Sequence, residues 1–191
     1  MVRLFDIDQG APSSITGGEH FDDVPQVSAF PSPAMVANLG SRKGWKRGMA
    51  NDLSPRLLAI VDALPLRHGM RVLEIGCGPG AAAREIVRRI GDGHVLAIDR
   101  SAKAIAQARA ASRAEIAAGR LSFRQVAIED FNLEADEKHF DIAVAVRVGA
   151  LDGRHPEAGK IALQRLKAAL TAQGRLFIDG GDPLREIVIH G

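Results

Sequence analysis

The chain has 191 residues, enough to bury one core and too few for a second of comparable size. With 46% hydrophobic and 25% charged residues it is ordinary globular material, and no stretch approaches the roughly 18 uninterrupted apolar residues of a spanning helix. A net charge of +2 is too small for a general polyanion-binding surface, although it leaves room for a local basic patch. The single cysteine, Cys77, excludes an internal disulfide and a zinc knuckle. Met1 to Gly10 carries acids where a signal peptide needs an apolar core, so a cytoplasmic protein is expected.

Residues 1–53 read as an N-terminal arm or lid, and residues 54–191 as the folded domain. The first thirty mix glycine, proline, serine and acids with isolated apolar residues. Ser41 to Met49 then places the only tryptophan, Trp45, among Arg42, Lys43, Lys46 and Arg47, a segment able to cover a ligand, grip an anionic or aromatic substrate, or touch RNA phosphates. Ser54-Pro55 opens a helix through Leu64. Beyond it, apolar runs at Met70–Ile75, His94–Ile98, Leu121–Val126, Phe140–Val146 and Arg175–Ile178 alternate with helical segments, the pattern of an α/β, doubly wound, mostly parallel sheet. The first crossover is Ala81 to Ile90. The second runs from the N-cap Ser101 to Gly119, with Ala104, Ile105, Ala108, Ala111 and Ile116 as its apolar stripe. Ala127 to His139 leaves space for a short helix at most. The last crossover starts at Pro156 and carries Ile161, Leu163, Leu166 and Leu170 before Gly174. About five strands result, with Ile187-Val188-Ile189 as one short edge strand.

The chemistry concentrates in Val72 to Gly80, Val-Leu-Glu-Ile-Gly-Cys-Gly-Pro-Gly, a strand that breaks into closely spaced glycines and then a helix. Such a turn lets a ligand lie against backbone without an intervening Cβ, and the helix N–H groups favour electron-rich groups. Gly76, Gly78 and Gly80 form G-x-G-x-G rather than the G-x-G-x-x-G of dinucleotide dehydrogenases, and Glu74 stands two residues ahead. A carboxylate there repels a pyrophosphate and suits a ligand bearing an ammonium and a sulfonium. These residues resemble the first motif, E/D-x-G-x-G-x-G, of the class I S-adenosylmethionine (SAM)-dependent methyltransferases. The resemblance implies a Rossmann-like sheet, SAM as cofactor and S-adenosylhomocysteine (SAH) as product. It places Glu74, Gly76, Cys77, Gly78 and Gly80 against the methionine part. Cys77 reads as a small side chain beside the cofactor rather than as a nucleophile.

Asp99 ends the second strand about twenty residues beyond the turn, where a carboxylate can accept from both hydroxyls of a ribose; this serves NAD and SAM alike. Arg100 follows at the adenine edge. After the third strand the family places an acid and a backbone N–H against adenine, and two placements in Val126 to Phe131 are open. Either Ala127 replaces the acid and Ile128 supplies backbone and an apolar face, or Glu129 or Asp130 takes the acid's place. Phe131 reads as a core residue. After the fourth strand, Arg147 is expected nearest the transferred methyl, with its carbonyl towards the cofactor ammonium. Asp152, Arg154 and His155 follow in a loop, His155 and Asp152 as candidate catalytic groups and Arg154, with Trp45, on the substrate side. His155 is the best general-base candidate because its ordinary pKa lies near 6.5. Methyl transfer from a sulfonium can also proceed without a base, by alignment alone. His20, His68, His94, His139 and His190 lack metal-ligand spacing, so no metal is expected.

The sequence therefore predicts a SAM-dependent methyltransferase acting on a small-molecule O, N or C nucleophile. The family's Asn/Asp-Pro-Pro-aromatic signature for nucleic-acid amines is missing after the fourth strand, and 4% aromatic residues provide few platforms for stacked bases. Only Asp179 to Gly191 follow the fifth strand where the family commonly adds a helix and an antiparallel pair, so the sheet reads as truncated at its C-terminus, with an edge that suits a homodimer. The alternatives are an NAD(P)-dependent oxidoreductase on the same sheet and a non-catalytic SAM- or RNA-binding module.

Overall fold

The computed structural model describes residues 53–189. The N-terminal arm and Trp45 lie outside the described residues.

Ser54 accepts a hydrogen bond from the Leu57 N–H at 3.3 Å and Pro55 fills the first turn, which starts α1 (Pro55–Ala63). The chain continues through β1 (Arg71–Ile75), α2 (Ala81–Ile90), β2 (His94–Asp99), α3 (Ala102–Ala111), α4 (Arg113–Ala117), β3 (Leu121–Gln125), a 3-10 turn at Ile128–Asp130, β4 (Phe140–Ala145), α5 (Pro156–Ala169), β5 (Leu170–Asp179) and β6 (Leu184–Ile187). The six strands form one sheet in the order β3-β2-β1-β4-β5-β6. The first five are parallel and β6 runs antiparallel to β5. The order reverses between β1 and β4, so the carboxyl ends of these strands flank a natural crevice.

Strand alternation divides the core between the two faces. Val72, Val95, Ala97, Ile142 and Val144 pack under Ile86, Val87 and Ile90 of α2, with Val61 of α1 and Ile105 of α3. Leu73, Ile75, Leu96, Ile98 and Leu176 face Ala162, Leu166 and Ala169 of α5, with Ile128 and Phe131 closing that side. Phe131 is fully buried, as a core residue should be.

The expected apolar stripes shift in two helices. The second crossover is interrupted at Ser112 (φ −123°, ψ 30°), which rotates α4 relative to α3 and leaves Ala111 and Ile116 exposed while Ile105 and Ala108 stay buried. In α5 the buried face is Gly159, Ala162, Leu166 and Ala169, and Ile161 and Leu163 are exposed. Small residues win there because the helix lies close to the loop before it: a Cβ on Gly159 would sit 2.5 Å from the Ala150 carbonyl oxygen. Leu170 belongs to β5, not α5. The strand starts five residues earlier than expected, with a register shift between Phe140 and Ile142 that accommodates the start.

The edge strand is also earlier than expected, at Leu184–Ile187, and meets the Ile187–Ile189 expectation only at Ile187. It pairs Asp179 with Leu184 and Leu176 with Ile187. Glu186 forms an ion pair with Arg175 of β5 at 2.5 Å. A four-residue edge carrying Arg185 and Glu186 is blunted against strand addition, so the fold lends no support to the dimer expected through it.

Candidate active site

The turn after β1 is pinned to β2: the Gly76 and Cys77 N–H groups both donate to the Ile98 carbonyl, at 2.8 and 3.0 Å. Gly76, Gly78 and Gly80 all have positive φ (72°, 53° and 75°), the requirement expected of this motif. Their surroundings differ. A Cβ on Gly80 would meet the Phe123 ring at 3.0 Å and Ala108 at 3.1 Å, so that glycine permits packing of turn against helix. A Cβ on Gly78 would meet nothing within 4 Å. Gly78 thus presents bare backbone to open space.

Asp99 braces this turn. Its Oδ2 accepts from the Gly78 N–H at 2.9 Å and its Oδ1 from the Ser101 N–H at 2.8 Å. Each oxygen keeps a lone pair, so the carboxylate is oriented and still able to accept from a hydroxyl.

Glu74 lies behind the turn. It is 5% exposed, on the α2 face of β1, and takes the Ala83 N–H in the first turn of α2. Its Oε2 is buried without a hydrogen-bond partner. Burial pushes its pKa up to about 8, against the opposing pull of the Ala83 N–H and Arg84. Cys77 is buried beside it, and desolvation, reinforced by Glu74 and Asp99, raises the thiol well above its usual range.

A cleft of about 640 Å³ opens at the carboxyl ends of the strands. Gly76, Asp99, Arg100, Ile128, Glu129, Arg147, Arg154 and His155 from the sequence reading all line it, together with Ile98, Val126 and Val148, which that reading did not single out. Glu74, Cys77, Gly78, Gly80 and Asp152 lie outside this lining. Asp152 is turned to Arg154, whose Nε and NH2 groups reach its two oxygens at 2.7–3.0 Å. That hydrogen bonding, from Arg154 above all, holds the Asp152 carboxyl below its usual range. His155 is the N-cap residue of α5 and makes no side-chain cap bond; its ring lies over the loop, so that a Cβ on Gly149 would fall 2.7 Å from its Cδ2.

A second contact escaped the sequence reading. Asp179, at the end of β5, accepts from the Arg147 N–H at 2.9 Å and from Arg56 of α1 at 2.8 Å. Its position repeats that of Asp99, an acid ending a parallel strand just before a bend, and that repetition was the available signal.

Tested against an adenosyl-methionine group, these residues fit. Apolar Ile98, Val126 and Ile128 provide a wall for a flat ring, Asp99 an oriented acceptor, and Gly78 a stretch of backbone with nothing within 4 Å of where a Cβ would sit.

A class I α/β sheet with a glycine turn at its switch point defines a nucleotide-type binding fold. The chain belongs to the methyltransferase domain family, whose model matches residues 72–174, just over half of its length. A search of curated proteins gives no significant match. Among solved structures, the chain is similar to YcgJ of Bacillus subtilis (20% identity, TM-score 0.53, covering 64% of this chain and 49% of that one). It is also similar to a SAM-dependent O-methyltransferase from Thermotoga maritima (20%, 0.51, 66% and 44%). Phosphoethanolamine N-methyltransferase 1 of Haemonchus contortus, solved with phosphoethanolamine and SAH, is similar at 18% identity (0.53, 64% and 24%). These likenesses establish the Rossmann-like fold; the match spans a quarter to a half of each of those chains. Among the described residues no helix is long and apolar enough to cross a membrane.

Proposed function

We propose that the chain binds SAM in this cleft and transfers its methyl group to a small-molecule oxygen, nitrogen or carbon nucleophile, releasing SAH. The observation that carries the reading is the switch-point cleft itself, lined by Gly76 and Asp99, with the Asp99 carboxylate already oriented by the Gly78 N–H of the same glycine turn. When bound, SAM supplies a methyl activated by a sulfonium leaving group. Asp99 accepts from the ribose hydroxyls, the Gly76–Gly78 backbone lies along the methionine part, and Ile98 and Ile128 enclose the adenine with Glu129 and Arg100 at its edge. The Arg147 carbonyl faces the ammonium. Glu74, with Cys77 packed against it, shapes the turn from behind.

His155 is the group able to take a proton from the acceptor, since its ring is at the cleft rim and free of a capping role. Asp152 acts through Arg154, which it orients. Alignment and exclusion of water account for the rest of the acceleration. The domain boundary between residues 53 and 54, a role for Trp45 in covering the substrate, and a cytoplasmic location belong to the same proposal.

Calorimetry with SAH and NADH separates this reading from the oxidoreductase, and methyl incorporation from labelled SAM into a metabolite extract separates it from a non-catalytic module. SAH is expected to bind and Asp99→Ala to weaken it by roughly 10- to 100-fold, the loss of a charge-assisted acceptor. NADH binding in the absence of SAH binding would sink the proposal.

A further inference from the structure

The carboxylates of the cleft lie at one end. Asp99 and Glu129 line it at the ends of β2 and β3, beside Arg100, whereas Arg147, Arg154 and His155 line it after β4 and at the start of α5 with no carboxylate in that part of the lining. The cationic end is where an acceptor must enter if the acidic end holds the adenosine.

Within that end the cations are not equivalent. Arg154 is committed to Asp152 through contacts of 2.7–3.0 Å, and its NH2 reaches the Arg147 carbonyl at 3.5 Å. Arg56, nearby on α1, is committed to Asp179. The guanidinium of Arg147 has no hydrogen-bond or ion-pair partner among the described residues, and both carboxylates near it, Asp152 and Asp179, are already engaged elsewhere or by its own backbone.

Arg147 is also the one non-glycine residue with positive φ, 58°, among the described residues. Glycine would adopt that conformation freely, yet an arginine occupies it, and the backbone is held there by the Arg147 N–H to Asp179 Oδ1 bond at 2.9 Å. Strain of this kind, secured from a neighbouring strand and helix, is characteristic of residues whose placement serves a ligand.

We infer that the acceptor carries an oxyanion, a carboxylate or a phosphate, and that Arg147, presented by Asp179, recognises it. The planar guanidinium suits either group because it offers two parallel N–H donors. Arg147 is the residue that touches the substrate, and Asp179 is a positioning residue. The inference rests on the methyl-transfer reading and specifies the substrate class for the same site.

The test uses the full chain with labelled SAM and a panel of small hydroxy acids, amino acids and sugar phosphates, each beside its neutral amide or unphosphorylated parent. Acids are expected to be methylated and their neutral partners at least roughly tenfold less, with the carboxylate and phosphate arms telling the two oxyanions apart. Arg147→Gln should raise KM for the preferred acid by roughly 10- to 100-fold, with SAH affinity unchanged and Arg147→Lys in between. Asp179→Ala should also raise KM while leaving kcat at saturation nearly intact. Arg147→Gly relieves the backbone, so its melting temperature should equal or exceed that of the parent while KM still rises. Equal use of acids and neutral partners, methylation of neutral acceptors alone, or no acid used by a protein that binds SAH would overturn the inference. So would loss of SAH affinity in Arg147→Gln, which would assign the arginine to the cofactor's own carboxylate. A parent chain that fails to bind SAH refutes the methyl-transfer reading instead, and this inference with it.

Discussion

Glu74 shows how a residue's type can be read from sequence while its surroundings cannot. Its spacing from the glycines identified the motif, but the strand alternation that buries Val72 also turns Glu74 toward α2, behind the turn and outside the cleft lining. The sequence reveals the acid without the face, because the face depends on which side α2 covers. Burial leaves a measurable trace. The folded-state pKa of about 8 exceeds the ordinary 4.5, so between these values the native state binds more protons than the unfolded chain, and stability falls as pH rises through that window. Glu74→Gln keeps an acceptor for the Ala83 N–H and does not ionise. The variant should therefore match the parent near pH 4.5 and exceed it progressively towards pH 8, by up to about 3 kcal/mol at neutral pH. Urea denaturation at several pH values reads this directly, and parallel profiles for the two proteins would refute it.

At the scale of elements, boundaries marked by local chemistry were legible and those set by packing were not. Ser54-Pro55 and Ser101 announce their helix starts, and α1 and α3 begin there. The break at Ser112 and the small-residue face of α5 arise from contacts with other elements, which no window of sequence contains. β5 likewise begins at Leu170 because β4 offers a partner at Phe140, despite helix-forming neighbours. The cap at Ser101 has a consequence that separates its two atoms. Its side chain accepts from the Ala104 N–H at 3.2 Å, while its backbone N–H holds Asp99. Ser101→Ala removes only the first, so it should cost about 1 kcal/mol of stability and leave SAH affinity within about twofold of the parent. A large loss of affinity in that variant would mean that the cap, rather than the backbone, orients the carboxylate.

For the whole molecule, the same elements that close the core also build the cleft, so ligand binding and folding share contacts. The alternation of strands with helices made the parallel sheet and its switch point readable, because hydrophobic period and glycine punctuation are local. The substrate side was less readable: Arg147 was read as a cofactor contact beside the methyl, and its restraint by Asp179 across 32 residues of sequence comes only from the adjacency of β4 and β5. If SAH contacts the ends of β1, β2, β3 and β4 together, it binds the native state and not the unfolded chain. At a concentration 100 times its dissociation constant it should then add about 2.7 kcal/mol, a rise in melting temperature of roughly 5–11 °C for a domain of this size. Hydrogen exchange should slow at the Gly76–Gly80 turn and at Val126–Glu129 more than in β6, which lines no part of the cleft. Stabilisation with protection confined to one strand end would mean that SAH occupies a smaller site than the cleft, and no shift in melting temperature at saturation would mean that it does not bind there.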